Sequence, residues 1–280
     1  MNSKKIFSNR KKLNGTTKNF IIAFAIFIVI LGISSVVLFL HSLDFDLNNL
    51  VESTTEYEET TTESTEENYS VENLSGSSNI MFTILNDENK IEFVFCTFID
   101  FYNKTFKIKQ IDGDAQLSFG EIYKSVNGIY AESSVDGLKS FIQSCYDVKI
   151  DKFAMFKKSD FKKFLSNFDG IEIDVTEDVN YQSPEFNLEL KAGKQALSSE
   201  KAVNYLFVCD KIDREKALCD VISSLLKSQY IKEADILFKK FVNSCKTDIS
   251  VIDFSDSMET IKVYCFADDK FMPTPYSDGE

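Results

Sequence analysis

Whatever chemistry this chain performs, it does almost without histidine. Of its 280 residues only His41 is a histidine. A His-based triad, an H-E-x-x-H zinc site and a histidine general base are therefore excluded from the region that follows it. Neither a Walker A loop nor a G-x-G-x-x-G motif occurs. Carboxylates, lysines, arginines and hydroxyls remain. That set suits a divalent cation held by acids and a phosphate held by bases. Six cysteines are present: Cys96, Cys145, Cys209, Cys219, Cys245 and Cys265. An even count permits disulfides outside the cell. There is no C-x-x-C, however. Cys96 falls mid-strand, and Cys145 and Cys219 continue apolar stripes. Buried free thiols are favoured, because cysteine behaves as a small hydrophobe.

The elements that position any site begin with an anchor. Phe20 to Leu40 is an uncharged, mostly apolar run of 21 residues. As a helix it is about 30 Å long, enough to cross a bilayer's hydrocarbon core. Residues 1–19 are a basic tail with Lys4, Lys5, Arg10, Lys11, Lys12 and Lys18 and no acid. The positive-inside bias puts this tail in the cytoplasm and the rest of the chain outside, as a single-pass cell-membrane protein. A cleaved signal peptide is the competing reading, but the run is long for one and lacks an A-x-A site.

Residues 41–78 read as an acidic linker. Glu52–Glu67 is almost wholly Glu, Thr, Ser and Tyr, too polar to fold and extended by like charge. A plain spacer is the simplest role; O-glycosylation is a further option. The net charge is −13; with +6 in the first 40 residues, the remainder carries −19. So acidic an outer region repels nucleic acid and anionic lipid.

Residues 79–280 read as one domain. Ile80–Leu85 suggests a strand. Ile91–Ile99, nearly continuous in aromatic and β-branched residues, suggests a strand buried on both faces. Thr105–Ile111 alternates, with Phe106 and Ile108 opposite Lys107 and Lys109, as a half-exposed strand does. Leu138, Phe141, Ile142 and Cys145 have helical spacing, as do Phe161, Phe164, Leu165 and Phe168. Ser159 is a candidate cap for the second of these helices, and Gly170 lies past its end. Ile171, Ile173 and Val175 alternate as a strand. Ser198 or Ser199 can cap a helix with Ala202, Val203 and Leu206. Two more helices are striped by Leu218, Ile222, Leu225 and Leu226, and by Ile231, Ala234, Phe238, Phe241 and Val242. The expected fold class is α/β, a mixed central sheet covered by helices and preceded by one transmembrane helix.

The order strand, turn, strand, then Ile111-Asp112-Gly113-Asp114, continues through Val148–Phe153, Phe161–Phe168, Gly170–Val175 and Leu188–Leu197. From about residue 79 onward it resembles the LytR-CpsA-Psr (LCP) family. The strongest stretch runs from Val148 to Arg214 and includes "VKIDKFAMFKKSDFKKFLSNFDGIEIDV" and "NLELKAGKQALSSEKAVNYL"; "KIDREKALCDVISSLLK" looks like the helix that follows. The resemblance implies an LCP-like α-β-α domain on the outer surface of a Gram-positive cell. It implies transfer of glycopolymers from a polyprenyl-pyrophosphate carrier to peptidoglycan or a surface protein during cell-wall biogenesis. It also implies Mg2+ or a similar divalent cation.

Carried over residue by residue, the family's Pro-Arg-Asp falls on Asp112-Gly113-Asp114. The acid is kept as Asp114, and Gly113 stands in place of an arginine. The acid opening the preceding strand falls on Glu92. Lys-Ile-Asn falls on Ser125-Val126-Asn127, with Lys124 one position away. Tyr-x-Arg-x-Arg falls on Tyr205-Leu206-Phe207-Val208-Cys209, so Phe207 and Cys209 replace two more arginines. Lys211 and Arg214 stand where arginines are expected on the next helix, and Glu215 and Lys216 replace glutamines. On this correspondence Glu92 and Asp114 hold the metal, and Asp114 and Arg214 are catalytic. Arg214, Lys211 and Lys124 bind phosphate.

Each residue has a plainer reading. Asp112-Gly113-Asp114 is also a turn, Glu92 a surface acid and Arg214 a helix-surface or salt-bridging arginine. Each lost partner of a phosphate clamp costs about 1.5–3 kcal/mol, so three together slow a reaction by orders of magnitude. Two functions follow as expectations. One is a glycopolymer transferase of the phosphotransferase type. The other is a degenerate domain, a pseudoenzyme, that binds a lipid-linked glycan or a partner protein without turnover. An unrelated solute-binding or adhesion domain is a third reading, with no motif behind it.

Overall fold

A computed structural model of the chain describes residues 69–276. The basic tail, the apolar run Phe20–Leu40 and the linker as far as residue 68 lie outside the described residues. Among the described residues no helix is long and apolar enough to cross a membrane.

Six strands form the central sheet. In chain order they are β1 (Ser77–Leu85), β2 (Ile91–Asp100), β3 (Thr105–Asp112), β6 (Lys152–Lys157), β11 (Lys246–Thr247) and β12 (Thr274–Pro275). Their spatial order is β11-β6-β1-β2-β3-β12. The β1–β6 and β3–β12 pairs are parallel and the rest antiparallel, so the sheet is mixed. The apolar run Ile91–Ile99 falls inside the sheet between β1 and β3, where both faces are covered and strict alternation gives way to continuous hydrophobicity. Three two-stranded ribbons complete the strands: β4 (Gln116–Phe119) with β5 (Ile122–Ser125), β7 (Ile171–Val175) with β10 (Gly193–Leu197), and β8 (Val179–Gln182) with β9 (Asn187–Leu190).

Each face of the sheet has its own core. Helix α1 (Val126–Tyr146) covers one, placing Val126, Ile129, Leu138 and Ile142 against Met81, Val94, Cys96 and Phe153. The other face carries α2 (Lys158–Leu165), α3 (Ser199–Val208), α4 (Lys211–Leu225), α5 (Ala234–Ser244) and α6 (Val251–Phe266). That core is rich in phenylalanine, with Phe93, Phe95, Phe106, Phe156, Phe161, Phe164 and Phe168 all buried. The expected α-β-α layering is therefore present.

The structure differs from the sequence reading in several places. Residues 69–78, read as the end of the linker, belong to the folded unit. Val71 is fully buried, Tyr69 stacks on Phe266 at 5.1 Å, and Asp269 accepts hydrogen bonds from Ser70 Oγ (2.8 Å) and Val71 N (3.1 Å). Composition hid this because one valine and one tyrosine do the packing. Lys109, read as solvent-facing, is only 4 % exposed. Its ammonium lies over the rings of Tyr146, 4.6 Å away, and Tyr276, 4.7 Å away, so the face opposite Phe106 and Ile108 is covered too. Helix α2 begins one residue before Ser159, with Lys157 in the capping position. Helix α1 is kinked at Ser134, whose φ of 61° and ψ of −167° lie in a region natural to glycine.

Candidate functional site

The expected residues gather at the end of the sheet where β2 begins and β3 stops. Ile84 pairs with Phe93 and Leu85 with Ile91, so Glu92 is the extra residue of a β-bulge. Bulges of this kind re-aim one side chain out of the ladder. Glu92 is half-buried there and accepts a hydrogen bond from Asn86 Nδ2 at 3.4 Å.

Opposite it, the turn after β3 is tied down on several sides. Gly113 N donates to Glu92 O at 2.8 Å, and Asn127 N donates to Gly113 O at 2.9 Å. The Asn127 side chain clamps the backbone of Ile91, accepting from its N–H at 2.8 Å and donating to its carbonyl at 3.0 Å. Its amide also reaches Asp114 Oδ1 at 3.4 Å. Glu92 and Asp114 thus flank one backbone bond, with Asn127 between them. Asp114 itself is exposed.

Gly113 explains its own identity. A Cβ built there would lie 1.8 Å from the Ile91 carbonyl oxygen and 2.7 Å from Asn127 Nδ2. The close approach of two backbones leaves no room for a side chain, arginine included.

Arg214 is brought to the same end, but each of its three nitrogens already donates a hydrogen bond within the protein. It is 8 % exposed. Nε donates to Leu206 O at 2.6 Å and Nη2 to Cys209 O at 2.9 Å, satisfying carbonyls at the end of α3. Nη1 is paired with Asp112 Oδ1. The guanidinium also lies over the Phe93 ring, 5.2 Å from its centroid. Its carboxylate partner is thus Asp112 rather than Asp114, a pairing concealed by a sequence separation of 102.

Lys211 opens α4 after the Asp210 cap and points to solvent as an exposed residue. Lys124, on β5, is paired with Glu132 of α1. The structure therefore links Glu92 and Asp114 through the Gly113 turn and Asn127, pairs Arg214 with the neighbouring Asp112, and engages Lys124 elsewhere. Phe207 packs edge-on against Phe93 with centroids 5.7 Å apart. Burial pushes the Cys209 thiol up to about 12, so it stays protonated at neutral pH.

No group of three or more His, Cys, Asp or Glu side chains converges among the described residues. The two carboxylates present match how Mg2+ is held in phosphate sites, by one or two acids with the remaining ligands from water and substrate oxygens.

Two cavities border this region and a third lies apart from it. A pocket of about 210 Å³ opens beside Glu92, with Asn86, Lys158, Phe186, Phe207 and Tyr181 in its walls. Beneath the sheet lies an apolar cavity of about 330 Å³, bounded by Phe82, Phe95, Phe156, Phe161, Leu237 and Phe238. Phe93, fully buried, stands between Glu92 and the Phe95 wall of this cavity. The third, about 540 Å³, lies between β7, β10, α4 and residues 270–273, and no expected site residue lines it.

Residues 99–264 match the LytR_cpsA_psr family. No curated protein matches the sequence. Among solved structures, TagV of B. subtilis is 18 % identical and superimposes with a TM-score of 0.60, covering 73 % of this chain and 85 % of its own. A putative transcription regulator from Eubacterium siraeum is 16 % identical, with a TM-score of 0.62 over 80 % of this chain and 89 % of its own. TagT bound to LIIa-WTA is 16 % identical, with a TM-score of 0.52 over 71 % of this chain and 82 % of its own. At these identities the likeness is one of fold.

Proposed function

The chain belongs to the LytR-CpsA-Psr family, and from that premise we propose that it binds a lipid-linked glycan at the cell envelope without turning it over. The observation that carries this reading is the contrast across Phe93. On one side the apolar cavity of about 330 Å³ offers a lipid chain a lining of phenylalanines and leucines. On the other the arginine clamp is gone: Gly113 has no room for a side chain, Phe207 and Cys209 are uncharged, and Arg214 spends its donors on Leu206, Cys209 and Asp112. The ligand named for TagT, LIIa-WTA, agrees with a lipid-linked glycan as the class of partner.

A bound Mg2+ would neutralise the carrier's phosphates, and Glu92 and Asp114 are the residues that would hold it. Phe20–Leu40 would act as a single-pass anchor, with the folded unit outside the cell. Domain and carrier would then share one bilayer surface, which raises their effective concentration.

Transfer of the glycopolymer to peptidoglycan or a surface protein is the second reading. The survival of Glu92 and Asp114 at a common strand end favours it. One experiment separates the two. The full chain, in detergent or nanodiscs, is incubated with a polyprenyl-pyrophosphate-linked glycan and Mg2+. Retained and released polyprenyl phosphate are then measured. Tight retention without release is the expected result. Release above the uncatalysed rate would establish transfer instead, and neither binding nor release would sink both readings.

A further inference from the structure

We infer that Lys158 is the anion-anchoring residue of the pocket beside Glu92, supplying from α2 a charge that the arginine positions no longer provide. The inference rests on the binding reading above and names the group that would grip the phosphate end of the carrier. Lys158 opens α2 directly after β6, and its side chain lines the same pocket of about 210 Å³ as Glu92 and Phe207. Its ammonium lies 4.3 Å from the centroid of Phe207 and 4.8 Å from that of Phe186.

Phe207 occupies one of the positions where the family pattern has an arginine. Its ring instead supports a lysine, so a positive charge returns to the same wall from a different element. Lys158 is half-buried and makes no ion pair among the described residues, although Asp87, Glu88, Glu92 and Glu185 share the pocket. Two aromatic faces hold the ammonium off those carboxylates. A charge that is partly desolvated, fixed in place and not neutralised is prepared for an incoming anion. The helix that carries it has no side-chain cap, which leaves the first-turn N–H groups without that partner.

Even with Glu88 paired to Lys90 at 2.8 Å, the pocket's carboxylates outnumber the Lys158 ammonium, and that sets a condition. A bare phosphate is repelled, so the anion must enter together with a divalent cation.

Inorganic pyrophosphate serves as the probe, titrated calorimetrically into the full chain in detergent with and without Mg2+. Binding is expected only with Mg2+. Lys158→Ala should weaken it about ten- to a hundredfold, the worth of a charge-assisted contact. Lys158→Arg should stay within about threefold of the unaltered chain, since the charge is kept. The double change Lys158→Ala with Phe207→Arg should recover most of the loss, which a merely structural lysine would not allow. Unchanged pyrophosphate affinity in Lys158→Ala would overturn the assignment while leaving carrier binding untouched. Lack of carrier binding, with Lys158-dependent pyrophosphate binding intact, would instead defeat only the reading on which it rests. No pyrophosphate binding by the unaltered chain overturns it outright.

Discussion

Strand β2 serves two neighbouring regions that have diverged differently. At Phe95 it lines the apolar cavity, and at Glu92 it borders the charged pocket. The apolar region is complete, walled by residues of the sheet, α2, α4 and α5. The charged region has the acids Glu92 and Asp114, with Gly113, Phe207 and Cys209 at the positions where the resemblance puts bidentate donors. The difference follows from the tolerance of each kind of contact. A hydrophobic wall accepts any side chain of about the right volume. A phosphate clamp depends on particular donors at fixed positions. A change of residue therefore costs the polar half more than the apolar half, and on the proposal above Lys158 supplies the charge there.

The largest expected effect tests whether the clamp can be rebuilt where the family has it. Gly113→Arg forces a Cβ to within 1.8 Å of the Ile91 carbonyl, so the end of the sheet must shift. We expect a loss of more than about 3 kcal/mol in denaturant unfolding, at the severe end of overpacking. Wild-type stability with new phosphate binding would show that the charged region was never closed to an arginine.

Arg214→Ala comes next. It strands the carbonyls of Leu206 and Cys209 and the Asp112 carboxylate. The expected cost is about 2–4 kcal/mol, discounted because the Asp112 side chain is 44 % exposed. An unchanged unfolding midpoint combined with abolished carrier binding would reassign Arg214 from the framework to the ligand.

Ala234→Phe addresses the apolar side alone. Ala234 lines the cavity and is half-buried, so a phenyl ring there fills the space proposed for a lipid chain. Carrier binding should fall at least about tenfold, with pyrophosphate binding unaltered. If both decline together, the two regions are one site and the contrast between them fails. The smallest effect is a gain. Ser134→Gly places glycine at a φ of 61° in the kink of α1 and should stabilise the chain by about 1 kcal/mol. A lower melting temperature would mean that the serine side chain has a role beyond backbone strain.

The central strands were readable in the sequence because Ile91–Ile99 carries its burial in its composition, and the helices at 138–145 and from Phe161 because their stripes are regular, although α2 stops at Leu165, short of Phe168. Helix α6 left almost no such trace: of its residues only Tyr264 and Cys265 are buried, so periodicity had little to register. Lys109 misled because alternation reports one covered face and says nothing of an aromatic lid arriving from Tyr146 and Tyr276. At the site, the acids Glu92 and Asp114 were singled out through the family resemblance, since by place alone they read as a surface acid and a turn residue. The partner of Arg214 was not, because Asp112 and Asp114 look alike until the turn is built. Lys158 had no signal at all, since Lys157 beside it is the same residue type and faces solvent. Only the rings of Phe186 and Phe207 tell the two apart.

The short strap at Tyr69–Leu74 also has a mechanical meaning. Load arriving along the chain from its N-terminal side meets the bonds from Ser70 and Val71 to Asp269 and the stack of Tyr69 on Phe266 before it reaches β1. The first element to feel a pull is therefore the far end of α6, and β1 sits behind it, gripped along its length by β2 and β6. Such an arrangement works as strain relief, sparing the strands that shape the two pockets while the chain is tugged.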